Sequence, residues 1–496
     1  MRVGLDIGTR RTKVACSAQE RHGGERGIPT AVAYTDGDCF TVGQGALDTA
    51  RADPGARLFR GFHEQLCPDP EPHGPAVTDP WRNADQPTKV LREFLQSALP
   101  AESRDGMELV IAVPDRWRQH PKAGASLQRA ASSVARVGSC RLVSAPLATA
   151  TYILRSNPSN CDERVTRLLV IDVGADSVDA SLFSVESGVL SLVVHETSAT
   201  YARGRVGIEF HNALATLAHE KICKDPQPPP SRIQILSTLE EQEQEIQYRD
   251  GEECIVPARE SEPLKFSDIE LRECFADVTE EIQITLDRLK TKVRAELGSP
   301  HWLHEHSRIA LVGGFAHFPL VTSAVNGQLQ AYADLFLPLE PPQQVEAAAS
   351  GALMVGGEIH PNHRYSYEVS IARKVREDGI RRNNPLELAG RDKLEIGGFA
   401  PTTAADPSTK QPVTVRVTNG SVPPLIVYVR GRDGALTRLA APWRGVPDGD
   451  YTLGLHLDPT FHGSLVLSRD NDLDEEPILG LLGRFPTAAQ PGEDDP

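Results

Sequence analysis

The sequence predicts an α/β chain with a two-lobed region over residues 1–357 and a small β-sandwich-like domain over residues 365–470. Three observations point there. Apolar strands ending in Asp-x-Gly occur twice, at Leu5–Gly8 and Ile171–Gly174, and each leads into a second strand, so one theme occupies two halves. A third apolar run, Ala310–Val312, ends in Gly313-Gly314. After about residue 360 helical periodicity stops and short apolar runs alternate with Gly, Pro and Asp, a texture of strands and turns.

Taken in order, Val3–Ile7 is a strand that stops at Gly8, and Thr12–Ser17 is the strand after the turn. Residues 68–87 hold six prolines and read as a surface loop. Leu109–Val113 is a short buried strand ending at Pro114, and Lys122–Val137 reads as a helix of small residues. Leu168–Val173 and Ala180–Val185 form a hairpin, and Pro226–Pro230 is a rigid loop. Ser267 opens a helix with Glu270 three residues on, a capping box. Val278, Ile282, Leu286, Leu289, Val293 and Leu297 recur at helical spacing and mark one buried face, stopped by Gly298. Ile309–Val312 is a further strand and Glu346–Val355 a small-residue helix. In the β domain strands are expected at Val413–Val417, Leu425–Val429, Thr452–Leu457 and Ser464–Leu467. The acidic, Pro/Gly-containing residues 471–496 are expected to form a disordered tail.

Composition narrows the function. With 496 residues, two or three domains are expected, and a net charge of −16 argues against nucleic acid as the main partner. No apolar run approaches the ~18 residues of a membrane span, so no membrane association is expected. The eight cysteines are scattered without a CxxC pair, which fits reduced thiols and a cytoplasmic protein.

The chemistry concentrates in the three turns. A glycine turn after a strand offers backbone N–H groups to phosphate oxygens, because no Cβ blocks the approach. A carboxylate at the strand end can hold Mg²⁺ through water. A Gly-Gly turn can lie flat beneath a nucleoside. One Asp-x-Gly alone is an ordinary β-turn; two of them and a Gly-Gly turn, each after an apolar strand and about 150 residues apart, make a constellation. His301, His304 and His306 read as a loop or helix-capping cluster rather than a metal site. Glu240–Glu245 reads as a solvated face, and Ser184 and Ser187 lack the context of a hydrolase nucleophile.

The run VGLDIGTRRTKVA resembles the first phosphate motif of the DnaK-type heat-shock protein 70 kDa chaperones, members of the actin-like ATPase (ribonuclease H-like) superfamily. LLVIDVGADSVDASLF resembles their second phosphate motif, YARGRVGIEFHNAL the segment with a further phosphate-contacting glycine, and RIALVGGFAHFPLV the adenosine motif. APLATA and VEAAASGALMV are similar to the two connecting helices. The resemblance covers about residues 1–357 and implies ATP or ADP with Mg²⁺ as cofactors. It implies that Asp6 and Asp172 serve as metal-binding and catalytic carboxylates. Gly8, Thr9, Arg10, Gly174, Ala175, Asp176, Ser177 and Gly207 would surround the phosphates, and Gly313, Gly314 and Phe315 the nucleoside, with Phe315 either stacking on the base or packing inward. It also implies protein clients or partners, a co-chaperone or a nucleotide exchange factor.

The departures from that family are specific. Ala145 stands where a catalytic Glu is usual and Ala56 where a Lys is usual, so hydrolysis is expected to be weak or absent. Asp176 adds negative charge to the second phosphate turn; Arg10, Arg11 and Lys13 either offset it or form a solvated exposed face. Ile233 and Gln234 replace the residues that flank the base. Neither a helical lid nor an aliphatic linker is recognisable, which leaves a non-hydrolysing, nucleotide-dependent scaffold as the alternative reading.

Overall fold

The computed structural model shows a mixed α/β protein. It describes residues 1–17, 27–66, 86–222, 254–256, 264–299 and 302–355, with breaks at 36–38, 54, 101–105, 120, 157–163, 187–188 and 199–205. Beyond them it describes 368–484, with breaks at 378–379, 389–401, 407–408, 410, 431–435, 444, 458–461 and 470–477. The features expected at Pro226–Pro230, Ile233, Gln234, Glu240–Glu245, His301 and the 358–367 linker lie outside the described residues. So does the loop expected at 68–87, except at its end, where Pro87 begins a helix (Pro87–Ala98).

Two sheets of like order form the first region. One contains β1 (Arg2–Ile7), β2 (Arg11–Cys16), β3 (Ile28–Pro29), β4 (Met107–Val113) and β5 (Val137–Ser144), in the order β3-β2-β1-β4-β5. The other contains β6 (Arg167–Val173), β7 (Val178–Glu186), β8 (Val189–Thr197) and β9 (Ser307–Val312), in the order β8-β7-β6-β9. In both, the central strand makes an antiparallel hairpin with its successor and runs parallel to a strand from much later in the sequence. A parallel bridge between Ile309 and Phe336 stands where β5 stands in the first sheet. Such parallel pairs bury both faces, which explains the unbroken apolar runs: in β6, Leu169, Ile171 and Val173 join one buried cluster while Leu168 and Val170 join another.

Four helices position the site: α1 (Ala145–Ser156), α2 (Val206–Ile222), α3 (Ala276–Leu297) and α4 (Pro341–Val355). The apolar face expected for α3 is buried at Val278, Ile282, Leu286, Leu289 and Val293, with Leu297 partly buried, and Gly298 ends the helix in the left-handed region. The capping box forms as expected. Glu270 N donates to Ser267 Oγ at 3.3 Å, and Ser267 N donates to Glu270 Oε2 at 2.8 Å. α1 and α4 follow the last strand position of each repeat and cross through small residues. A Cβ on Gly351 would lie 1.8 Å from the Ala148 carbonyl oxygen, so the two backbones touch. α4 also covers β1, where a Cβ on Gly4 would lie 2.2 Å from the Ala349 carbonyl oxygen and 2.6 Å from the Leu353 amide nitrogen.

Two expectations are corrected. The helix read over Lys122–Val137 ends at Ser132, and Val137 already opens β5 beside Met107. The tail read as disordered from residue 471 contains a strand, Ile478–Arg484, paired antiparallel with His462–Ser468 and burying Leu482. Its short apolar run follows an acidic stretch, Asp470–Glu476, and precedes a Pro/Gly-containing one. The strand belongs to a nine-stranded sheet running from Glu368 to Arg484, antiparallel at every described pair, which includes the four expected strands. Val415, Val427, Leu453 and Leu465 are in its core. Among the described residues no helix is long and apolar enough to cross a membrane.

Candidate functional site

The repeat places Asp6 one residue before the end of β1 and Asp172 one residue before the end of β6. Both line one cleft, together with Gly8, Thr9 and Arg10 of the first hairpin turn and Gly174, Ala175, Asp176 and Ser177 of the second. Gly207, Gly313, Gly314 and Phe315 line it as well. The second turn is closed by Gly174 N donating to the Ser177 carbonyl at 2.9 Å, and the start of α2 lies on it through Ile208 N to the Ala175 carbonyl at 3.0 Å. The loop after β9 is fixed by Phe315 N to the Val173 carbonyl and Gly313 N to the Gln344 carbonyl, both 3.0 Å. At Gly313, φ is +107°, and a Cβ would stand 2.3 Å from Asp172 Oδ1 and 2.4 Å from the Val173 carbonyl oxygen. Only glycine fits there.

The two strand-end carboxylates differ in surroundings. Asp6 pairs with Lys13 Nζ at 3.3 Å. Asp172 lies directly across from Asp179 on β7. Burial first, then the charges of Asp179 and Asp6, push the Asp172 pKa up to about 7, against the opposing pull of Lys13. Asp179 itself accepts from Ser177 Oγ at 2.5 Å and lies 3.8 Å from His195 Nε2.

Among the described residues no group of three or more His, Cys, Asp and Glu side chains is arranged to ligate a metal directly. The donor set nevertheless suits a hydrated Mg²⁺. Asp6, Asp172 and Asp179 are hard oxygen donors whose mutual repulsion a divalent cation relieves, and Mg²⁺ characteristically keeps its waters. The turns also leave room for close approach. A Cβ on Gly174 would meet nothing nearer than 3.6 Å, and one on Gly314 nothing within 4 Å. Neither glycine is demanded by a crowded backbone, and the space without their side chains opens on the cleft.

Several cleft residues escaped the sequence reading. Arg116 and Glu64 are hydrogen-bonded to each other, and Arg116 lies 3.6 Å from Asp176. Beside the expected cations Arg10, Arg11 and Lys13, Arg116 thus lies against Asp176, while Lys13 pairs with Asp6 and Arg10 contacts His211 Nδ1. A signal existed. Arg116 follows Val113-Pro114, and β4 runs parallel to β1 with Ala112 beside Asp6, so both strands deliver their carboxyl ends to the same place. The choice left open for Phe315 resolves toward packing. The ring is 2% exposed, stacks on Phe318 at 5.1 Å and leans on Phe210 at 5.5 Å. Beside it His317 lines the cleft with both ring nitrogens buried and without a hydrogen-bond partner among the described residues, and burial holds its pKa below the ordinary value.

Of the two alanines that replace expected catalytic residues, Ala145 lines the cleft at the start of α1, whereas Ala56 does not. The imidazoles of His304 and His306 lie 5.9 Å apart, and His306 N donates to His304 Nδ1 at 3.2 Å, a local loop contact. Compared with protein-family models and with curated proteins, the chain matches none.

Proposed function

We propose that the chain binds ATP or ADP with Mg²⁺ in this cleft, on a two-lobed actin-like ATPase fold of the DnaK chaperone type, with weak or absent hydrolysis. The observation that carries the reading is the repeat itself: two sheets of one strand order, each ending its central strand in Asp-x-Gly, with both aspartates on a single cleft. Asp6 and Asp172 hold the hydrated metal, whose charge neutralises phosphate oxygens and carboxylates alike. The two hairpin turns receive phosphates through their backbone N–H groups, and Gly313 and Gly314 receive the nucleoside. Phe315 supports that loop from beneath rather than facing the base. Ala145 puts a methyl group where a carboxylate would orient water, which favours binding over turnover. The chain then acts on protein clients or partners through nucleotide-dependent closure of its lobes, and as a scaffold where turnover is nil.

At a hundredfold excess over Kd, ATP with Mg²⁺ should stabilise the protein by about 2.7 kcal/mol, read as a thermal shift. Asp6→Ala combined with Asp172→Ala should remove the Mg²⁺-dependent part. No shift at millimolar ATP or ADP refutes the reading. A wild-type ATPase rate that Ala145→Glu fails to raise would leave binding intact and refute the account of weak hydrolysis.

A further inference from the structure

We propose that Asp176 is a built-in competitor for the terminal phosphate, so that the cleft prefers a nucleoside diphosphate to a triphosphate; this rests on the nucleotide reading above. Arg116 belongs to the first repeat, two residues beyond Pro114 at the end of β4, and Asp176 belongs to the second hairpin turn. Their 3.6 Å ion pair therefore spans the cleft, and both side chains are largely buried, at 14% and 17% exposure. Such a pair is screened far less than a surface one.

Arg116 is held unequally at its two ends. On its own side it donates a hydrogen bond to Glu64, and Glu64 Oε1 lies 3.0 Å from His63 Nε2. On the other side the 3.6 Å separation from Asp176 exceeds an ordinary hydrogen bond. A guanidinium is the side chain best suited to a phosphate by shape and charge, and here a carboxylate on the phosphate turn shares it. The charge balance points the same way. Asp6, Glu64, Asp172, Asp176 and Asp179 face the cleft against Arg10, Arg11, Lys13 and Arg116, so its lining holds no excess of cationic side chains for a third phosphate. Lys13 pairs with Asp6, Arg10 contacts His211, and Arg116 pairs with Asp176 at the second turn. A third phosphate gains Arg116 only by displacing Asp176, and it meets that carboxylate's repulsion as it does so. A diphosphate carries less charge into the same field.

The test is calorimetric titration of the full chain with ADP and with ATP, each with Mg²⁺, for wild type, Asp176→Asn, Arg116→Gln and the double variant. Wild type should bind ADP more tightly than ATP. Asp176→Asn should tighten ATP about tenfold while changing ADP less than about threefold. Arg116→Gln should weaken ATP, and the double variant should show none of the gain from Asp176→Asn. Melting curves verify that each variant is folded, and Arg116→Lys replaces Arg116→Gln if the latter is not. If wild type binds nucleotide but Asp176→Asn leaves ATP affinity unchanged, or lowers it as loss of a metal ligand would, the competitor role is wrong and the nucleotide reading stands. If neither wild type nor Asp176→Asn binds any nucleotide, both fall together.

Discussion

The first and second hairpin turns occupy equivalent places in two sheets of the same order, yet they are electrostatic opposites. At the first, Asp6 has Lys13 at 3.3 Å, and Arg10 and Arg11 follow in the turn. At the second, Asp172 faces Asp179, and Asp176 adds another carboxylate. They also differ sterically: a Cβ on Gly8 would press to 2.7 Å on the Arg11 carbonyl oxygen, whereas one on Gly174 would meet only ordinary contacts. A shared backbone plan thus leaves the chemistry of each turn to be set separately. The first turn is neutralised from within its own hairpin, while the second takes Arg116 of the other repeat beside Asp176.

The largest effect that tests this contrast is expected at Gly313, which the second turn presses from below. Gly313→Ala should cost about 4 kcal/mol, because a positive φ and three sub-3 Å contacts add. Urea denaturation measures it, and a loss under 1 kcal/mol would show that Asp172 can move aside. Next comes the pH dependence of Asp172. Its folded pKa lies near 7 against an ordinary 3.8, so its protonated form is favoured in the folded state. That contribution is complete below about pH 4 and is lost as pH rises through 7. The shift bounds the effect at about 4 kcal/mol, and since Asp172 keeps an edge on the cleft, about 2 kcal/mol is expected. Asp172→Asn should therefore be more stable than wild type at pH 8 and lose most of that advantage by pH 4. Asp6→Asn should change stability by less than about 1 kcal/mol. Equal effects at the two aspartates would erase the distinction between the turns.

The glycines sharpen the contrast further. Gly8→Ala should cost about 2 kcal/mol, since its neighbour is backbone. Gly174→Ala should alter stability by less than about 0.5 kcal/mol but weaken nucleotide binding, because its methyl group would fill the cleft. Thermal melts paired with ATP and ADP titration separate the two effects.

Much of this was readable in the residues. Strand ends rich in Val, Leu and Ile followed by Asp-x-Gly located the two central hairpins, and the helical spacing from Val278 to Val293 located the longest buried face. The residues named for the metal, the phosphates and the nucleoside line one cleft because equivalent strand ends of a repeated sheet point to one place. What the sequence concealed was pairing across that cleft. Arg116 and Asp176 are 60 positions apart in the chain and belong to different sheets, so no local pattern couples them. The inward turn of Phe315 was equally hidden, because it depends on Phe210 and Phe275 coming from separate elements to meet it and its loop neighbour Phe318. The strand at Ile478–Arg484 was missed because its apolar run is short and its pairing partner, not its composition, orders it.

The contact of β1 with α4 carries a consequence for biosynthesis. Gly4 leaves the ribosome ahead of Ala349 and Leu353, against which it rests and which emerge roughly 350 residues later. At typical elongation rates of about 5–20 residues per second, the N-terminal strand waits some 20–70 s for the helix that covers it. Its other neighbour, β4, arrives much sooner, with Val110 beside Gly4. During that interval the first sheet can pair its strands but leaves one face of β1 open to solvent. The nascent chain is therefore most vulnerable to aggregation before α4 appears, and a translational pause placed ahead of residue 341 would lengthen that exposure, whereas one placed well after residue 355 would not.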